Sequence, residues 1–162
     1  MEWPEPVERV AAYARAAGAE LRLEEFSAGT PTAQDAAKAI GCELGAIGKS
    51  LVFDCDGSYV LVLVPGDRRA DPDKVARATA VSRARVASAG EVEHATGFAP
   101  GAVAPFPLRN VQRVLIDRLL LAHTHVWVGA GSDRHMAALA PAELVRLARA
   151  ESVDAVVDAA LG

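Results

Sequence analysis

Residues 50–64, Ser50-Leu51-Val52-Phe53-Asp54-Cys55-Asp56-Gly57-Ser58-Tyr59-Val60-Leu61-Val62-Leu63-Val64, decide the fold. β-branched and aromatic residues fill two runs, Ser50–Cys55 and Ser58–Val64, that read as strands. Asp56-Gly57 between them favours the positive backbone φ angles of a tight turn, so the two runs predict an antiparallel hairpin.

Helical signals lie on both sides of the hairpin. Pro4–Ala17 carries Val7, Val10, Ala11 and Ala14 at helical spacing, with Gly18 placed to stop it. Leu21 and Leu23 alternate with charge as in a short strand. Thr30-Pro31-Thr32 supplies a cap for a helix over 33–40, which Gly41 ends. Asp71-Pro72 opens another helix, and Ser88-Ala89-Gly90-Glu91 has the form of a capping box. Arg113–Ile116 and His125–Gly129 read as strands, and Pro141–Arg149 and Val153–Leu161 as closing helices. Interleaved strands, helices and hairpins predict a single α/β domain over residues 1–162, with a mixed, largely antiparallel curved sheet surrounded by helices.

The chain has 162 residues, enough to bury a core without disulfides, and 51% of them are hydrophobic. No apolar run approaches the roughly 20 residues of a membrane span. Met1-Glu2-Trp3-Pro4-Glu5 lacks the pattern of a secretion signal, so a cytoplasmic protein is expected. Cys42 and Cys55 lack metal-binding spacing and are expected as buried free thiols. A net charge of -4 argues against a protein that coats DNA or RNA non-specifically. Residues 68–85 nevertheless carry Arg68, Arg69, Lys74, Arg77, Arg83 and Arg85 against Asp71 and Asp73, which fits a solvated helical face or a phosphate-facing patch.

Two segments carry chemistry. In Thr96-Gly97-Phe98-Ala99-Pro100-Gly101-Ala102-Val103-Ala104-Pro105-Phe106, two glycines and two prolines describe a loop of fixed shape that can present backbone N–H groups to a ligand. In Gly48-Lys49-Ser50, a lysine opens the first strand of the hairpin. A nucleotide-binding P-loop would need glycine where Glu43 stands, and its lysine would open a helix rather than a strand. Lys49 is one of three lysines in an arginine-rich chain, and reads either as a surface residue at a strand end or as a compact point charge kept for binding. His123 and His125 have no third ligand at zinc spacing, and no nucleophile motif is present. Phe26, Phe98 and Phe106 fall in loop-like segments and are candidates for the walls of a small pocket.

The order of these segments resembles the YbaK and prolyl-tRNA-synthetase-associated family of aminoacyl-tRNA deacylases. The resemblance rests on Thr32-Ala33-Gln34-Asp35-Ala36-Ala37, Gly48-Lys49-Ser50-Leu51-Val52-Phe53, Leu63-Val64-Pro65-Gly66-Asp67-Arg68-Arg69, Thr96-Gly97, Gly101 through Pro105, Ile116-Asp117 and Gly129-Ala130-Gly131. It covers residues 26–158. It implies hydrolysis of the ester that joins a wrong small amino acid (Ala, Ser, Cys or Pro) to the 3′ acceptor end of a tRNA, a correction needed where binding alone discriminates poorly. It implies that Lys49 holds the terminal nucleotide and that the Gly101, Ala102 and Pro105 loop stabilises the oxyanion, with water or a substrate group as nucleophile. Thr32, Ser50, Phe26, Thr96, Gly97, Phe98 and Gly129 are the implied substrate contacts, with no metal or other cofactor, no DNA, no membrane and a monomeric chain. Where relatives carry Gly-His after the loop this chain has Pro107-Leu108, and Ser132-Asp133-Arg134-His135-Met136 replaces another family pattern, so Asp133 and His135 receive no role. A non-catalytic module binding aminoacylated tRNA ends, a nucleotide or a protein partner, and an esterase acting without tRNA, are the alternatives.

Overall fold

The computed structural model describes residues 3–158. The hairpin forms between β2 (Ile47–Cys55) and β3 (Ser58–Pro65), paired from Gly48 with Pro65 to Cys55 with Ser58. Asp56 and Gly57 have φ of 58° and 96°, the pair of positive angles whose twist matches the flanking strands. β3 is covered on both faces. Val60, Val62 and Val64 pack with Phe53, Val75 and Leu115, whereas Leu61 and Leu63 join a larger cluster with Val10, Phe98, Ile116 and Leu144. A strand buried on both sides must be apolar at every position, which accounts for the unbroken run Val60–Val64.

Six further strands extend the sheet in the order β1 (Arg22–Glu25), β7 (His135–Leu139), β6 (Val126–Gly129), β2, β3, β5 (Arg113–Asp117), β8 (Ala150–Val153), with β4 (Ala84–Val86) also paired to β2. Pairings β1–β7, β6–β7, β2–β3 and β2–β4 are antiparallel, and β2–β6, β3–β5 and β5–β8 are parallel. The expected mixed sheet in one α/β body is therefore present.

The helices begin and end on their sequence signals. α1 (Glu5–Ala16) buries Val7, Val10, Ala11 and Ala14. α2 (Ala33–Ile40) opens on Thr32, whose hydroxyl accepts from the Asp35 N–H, and closes at Gly41. α3 (Pro72–Ala78) is capped by the Asp71 carboxylate, and α4 (Ala89–Thr96) by a complete Ser88–Glu91 capping box. α5 (Pro141–Ala148) precedes β8.

The helix expected over Val153–Leu161 is not formed within the described residues. β8 instead pairs in parallel with β5, and residues 154–158 continue as irregular chain with a bridge from Val156 to Ala70. Residues 159–161 of that expectation lie outside the described part. Tertiary contacts override local helix propensity here: Val153 pairs with β5, and Val156 bridges to Ala70. Asp117, fully buried, secures the turn: its carboxylate accepts from the Leu119 N–H at 3.0 Å and the Ala155 N–H at 2.8 Å. Cys55 is buried and Cys42 half-buried, both as free thiols.

One irregularity positions the site. Along the edge of β2 away from β3, Ile47 and Gly48 pair with β6, and Phe53–Cys55 pair with β4. Lys49, Ser50 and Leu51 lie between these partners and pair with no strand on that edge. The sheet splits at this point, and the split exposes strand backbone and side chains to a cleft.

Candidate active site

A cleft of about 440 Å³ lies at the split. Its lining comes from four parts of the chain: Lys49, Ser50 and Leu51 of β2, Thr30, Pro31, Thr32 and Gln34 at the start of α2, Gly101 and Val103 of the loop, and Gly129 and Met136 of β6 and β7. Five of the residues named from sequence thus meet in one place: Thr32, Lys49, Ser50, Gly101 and Gly129.

Lys49 projects from β2 with its Nζ donating to the Arg68 carbonyl at 2.9 Å. Burial pushes its pKa below the ordinary lysine range, with Asp67 opposing that shift. The Ser50 Oγ is buried without a hydrogen-bond partner among the described residues. A buried hydroxyl left unpaired is costly, so this one is suited to a polar ligand atom.

The Gly101–Pro105 segment is anchored through its apolar side chains, with Phe98, Val103, Ala104 and Phe106 all buried. Phe106 stacks on Tyr13 at 5.2 Å between ring centres. Gly101 has φ of +83°, a conformation strained for other residues. Gly129 meets the loop from β6, and a Cβ there would stand 2.5 Å from the Val103 carbonyl oxygen. Gly66 and Gly48 are similarly confined, by the Leu44 carbonyl at 2.6 Å and by Val126 and Val128 at 3.2 Å.

Several expected contacts lie elsewhere. Thr96 is buried and its hydroxyl donates to the Val92 carbonyl at 2.7 Å, while accepting from the Phe98 N–H at 3.1 Å. Gly97 is the C-cap of α4, its carbonyl bonded by Arg9 at 3.2 Å. Phe98 is 2% exposed, with the Arg9 guanidinium 5.0 Å from its ring centre. Helix termination and core packing use these three residues. Phe26 packs beside Ala36, Ile47 and Trp127 rather than lining the cleft, and Phe106 belongs to the core. The Ala102 N–H turns back to the Ala99 carbonyl at 2.9 Å, so it is not free for a ligand. Pro105 borders a separate cavity behind the loop.

The sequence reading overlooked Met136, Gln34 and Ile47 as lining residues. Gln34, inside the Thr32-Ala33-Gln34-Asp35 run, carried a usable signal, being a polar residue in the first turn of a capped helix. Met136 carried none. The basic stretch is in part internally paired: Lys74 binds Asp154 and Asp158, and Arg85 binds Asp54 and Glu91. Among the described residues no group of three or more His, Cys, Asp or Glu could hold a metal ion.

The profile of the aminoacyl-tRNA editing domain family matches residues 27–147, a span that holds every element of this cleft. The chain belongs to that family. It is 36% identical over 123 residues to the uncharacterized protein YwhH of Bacillus subtilis, covering 75% of this chain and 78% of that one. It is 31% identical over 119 residues to the proline--tRNA ligase of Desulforamulus reducens, covering 72% of this chain but only 21% of the ligase. Among solved structures, a candidate trans-editing enzyme for prolyl tRNA synthetase superposes with a TM-score of 0.89 at 34% identity, over 96% of this chain and 99% of the other. The α/β body around the cleft is thus the fold of an editing domain. No described helix of this editing domain is long and apolar enough to cross a membrane.

Proposed function

We propose that this editing domain is an aminoacyl-tRNA deacylase that acts in trans in the cytoplasm, as a monomer, on tRNA mischarged with a small amino acid among Ala, Ser, Cys and Pro. The observation that carries this reading is the convergence of a half-buried lysine, an unpaired buried hydroxyl and the Gly101–Val103 backbone on one cleft. An ester of a nucleotide requires a cation for phosphate or ribose, a polar contact for the sugar and donors for the carbonyl oxygen. Lys49 and Ser50 serve the first two needs, and the loop backbone at Gly101 and Val103 serves the third. Apolar groups of Ala33, Ala36, Ile47 and Met136 leave room beside them for a small side chain.

In the reaction a water oxygen, oriented by the neighbouring ribose hydroxyl, forms a bond to the ester carbon. Negative charge gathers on the carbonyl oxygen against the loop. The bond from carbon to the 3′ oxygen then breaks, and a proton passes to that oxygen as it leaves. A cysteinyl ester could instead be attacked by its own thiol. The protein supplies positioning and electrostatics rather than a covalent nucleophile.

The test is deacylation of tRNAs charged with Ala, Ser, Cys and Pro by wild type and Lys49→Ala. Selective turnover by the wild type, reduced at least 100-fold in a folded Lys49→Ala protein, is the expected result. Full activity in that variant would remove Lys49 from the mechanism, and tight binding of charged tRNA without turnover by the wild type would replace the enzyme with a binding module.

A further inference from the structure

We propose that His135 is a positioning residue that braces two parts of the cleft lining, Thr30–Thr32 and Met136, and thereby sets how tightly the substrate is held. Its imidazole does not line the cleft. It lies 2% exposed at the start of β7, and three segments converge on it. Ser132, in the preceding turn, places its Oγ 2.5 Å from Nδ1, and the same oxygen accepts from the Arg134 N–H at 3.0 Å. Glu25, the partner of His135 across the β1–β7 ladder, brings Oε2 to 3.1 Å from Nε2. Because Nε2 has no aligned hydrogen bond, the carboxylate acts there as a neighbouring charge, on an exposed side chain free to adjust. Trp3 packs edge-on at 5.5 Å.

The brace matters because of what is attached to it. The segment leading to Thr30–Thr32, which line the cleft, is tied to the same turn by four bonds. The Phe26 N–H donates to the Arg134 carbonyl at 2.7 Å, and the Thr30 N–H to the Asp133 carbonyl at 2.8 Å. The Thr30 hydroxyl adds a contact to that carbonyl at 3.3 Å, and the Arg134 guanidinium reaches the Ser27 carbonyl at 3.0 Å. Met136, the next residue after His135, itself lines the cleft. Gly131 presses the turn against α1, where a Cβ would stand 2.7 Å from the Pro6 carbonyl. A shift of the imidazole therefore moves Thr30–Thr32 and Met136 together.

A hydrocarbon could fill the same volume without the desolvation that a buried imidazole suffers. The polar contacts to Ser132 and Glu25 are what a histidine adds. They orient the ring, and the ring orients the turn, in the manner by which outer residues hold binding groups to within about half an ångström.

Amide hydrogen exchange tests the brace without reference to catalysis, and deacylation kinetics tests its consequence, which rests on the editing reading. In His135→Phe, exchange at Phe26 and Thr30 should quicken at least tenfold, while Leu61 and Leu63 in the core strand stay as in wild type. KM for charged tRNA should rise at least fivefold with kcat within threefold, and His135→Gln, which keeps a polar group between Ser132 and Glu25, should recover part of both effects. Unchanged exchange at Phe26 and Thr30 overturns the brace. Faster exchange with unchanged KM leaves a purely structural histidine and overturns the positioning role. If wild type does not deacylate any charged tRNA, the editing reading and the positioning role fall together, while exchange still decides the brace. Should His135→Phe not fold, Ser132→Ala and Glu25→Gln, each removing one contact from a more exposed position, provide the same readouts.

Discussion

Gly129 and Val103 touch backbone to backbone: a Cβ on Gly129 would stand 2.5 Å from the Val103 carbonyl oxygen. This contact joins the end of β6 to the loop at the mouth of the cleft, and it leaves no room for any other residue. Gly129→Ala must push the loop outward, at about 1–3 kcal/mol for an overpacked site. A displacement of roughly 1 Å in a positioning element is enough for a loss on the order of 100-fold in kcat/KM. Deacylation assays beside circular dichroism should show a folded protein with strongly reduced turnover. Full activity would mean that the loop backbone does not take part.

Lys49 makes a prediction in pH. Burial lowers its pKa, so its cationic form is lost as pH rises through a value below the ordinary lysine range. Deacylation that depends on the cation should decline on the alkaline side earlier than an exposed lysine would dictate, once uncatalysed ester hydrolysis is subtracted. Lys49→Arg should remove that decline, because guanidinium stays charged, yet should not restore wild-type turnover, since the planar fork does not fit the place of a compact ammonium.

Acid stability depends on Glu91. Its carboxylate accepts from Arg85, from the Ser88 N–H and from the Tyr59 hydroxyl, and these bonds hold its pKa well below the usual carboxylate range. Depression in the folded state means that the stabilisation is complete above the unfolded glutamate value and is lost as pH falls from there toward the folded value. Glu143 and Glu151 are lowered in the same direction by Arg146 and Arg113. Melting temperatures measured between neutral pH and pH 3 should fall, and Glu91→Gln should melt lower at neutral pH and fall less steeply.

Asp117 ties two separate segments to the end of β5 with its two carboxylate oxygens. Asp117→Ala leaves the Ala155 and Leu119 N–H groups without their acceptor. Hydrogen bonds to a charged group contribute about 1.5–3 kcal/mol each, so for two bonds a loss of at least roughly 3 kcal/mol is expected. For a domain of this size that corresponds to a Tm lower by about 6–12 °C. An unchanged Tm would show that water replaces both bonds.

The cap residues Thr32, Asp71 and Ser88, and the Asp56-Gly57 turn, were legible in the sequence because each acts within four residues of itself. Lys49 and the Gly101–Pro105 loop were legible as candidates, since a lysine at a strand start and two glycines among prolines are unusual locally. Their meeting in one cleft was not. It depends on β2 changing partners between Gly48 and Phe53, a choice made by β6 and β4 from distant parts of the chain. Thr96, Gly97 and Phe98 look like loop residues in one dimension, yet α4 ends there and the core takes the phenylalanine. Val153–Leu161 reads as helix, yet Val153 ends a strand on the edge of β5 and Val156 bridges to Ala70. Local dihedral preferences and hydrogen bonds within one turn thus belong to the sequence by itself. Burial, strand partnership and the brace at His135 exist only once remote segments pack, because their free energy comes from surfaces that no single segment contains.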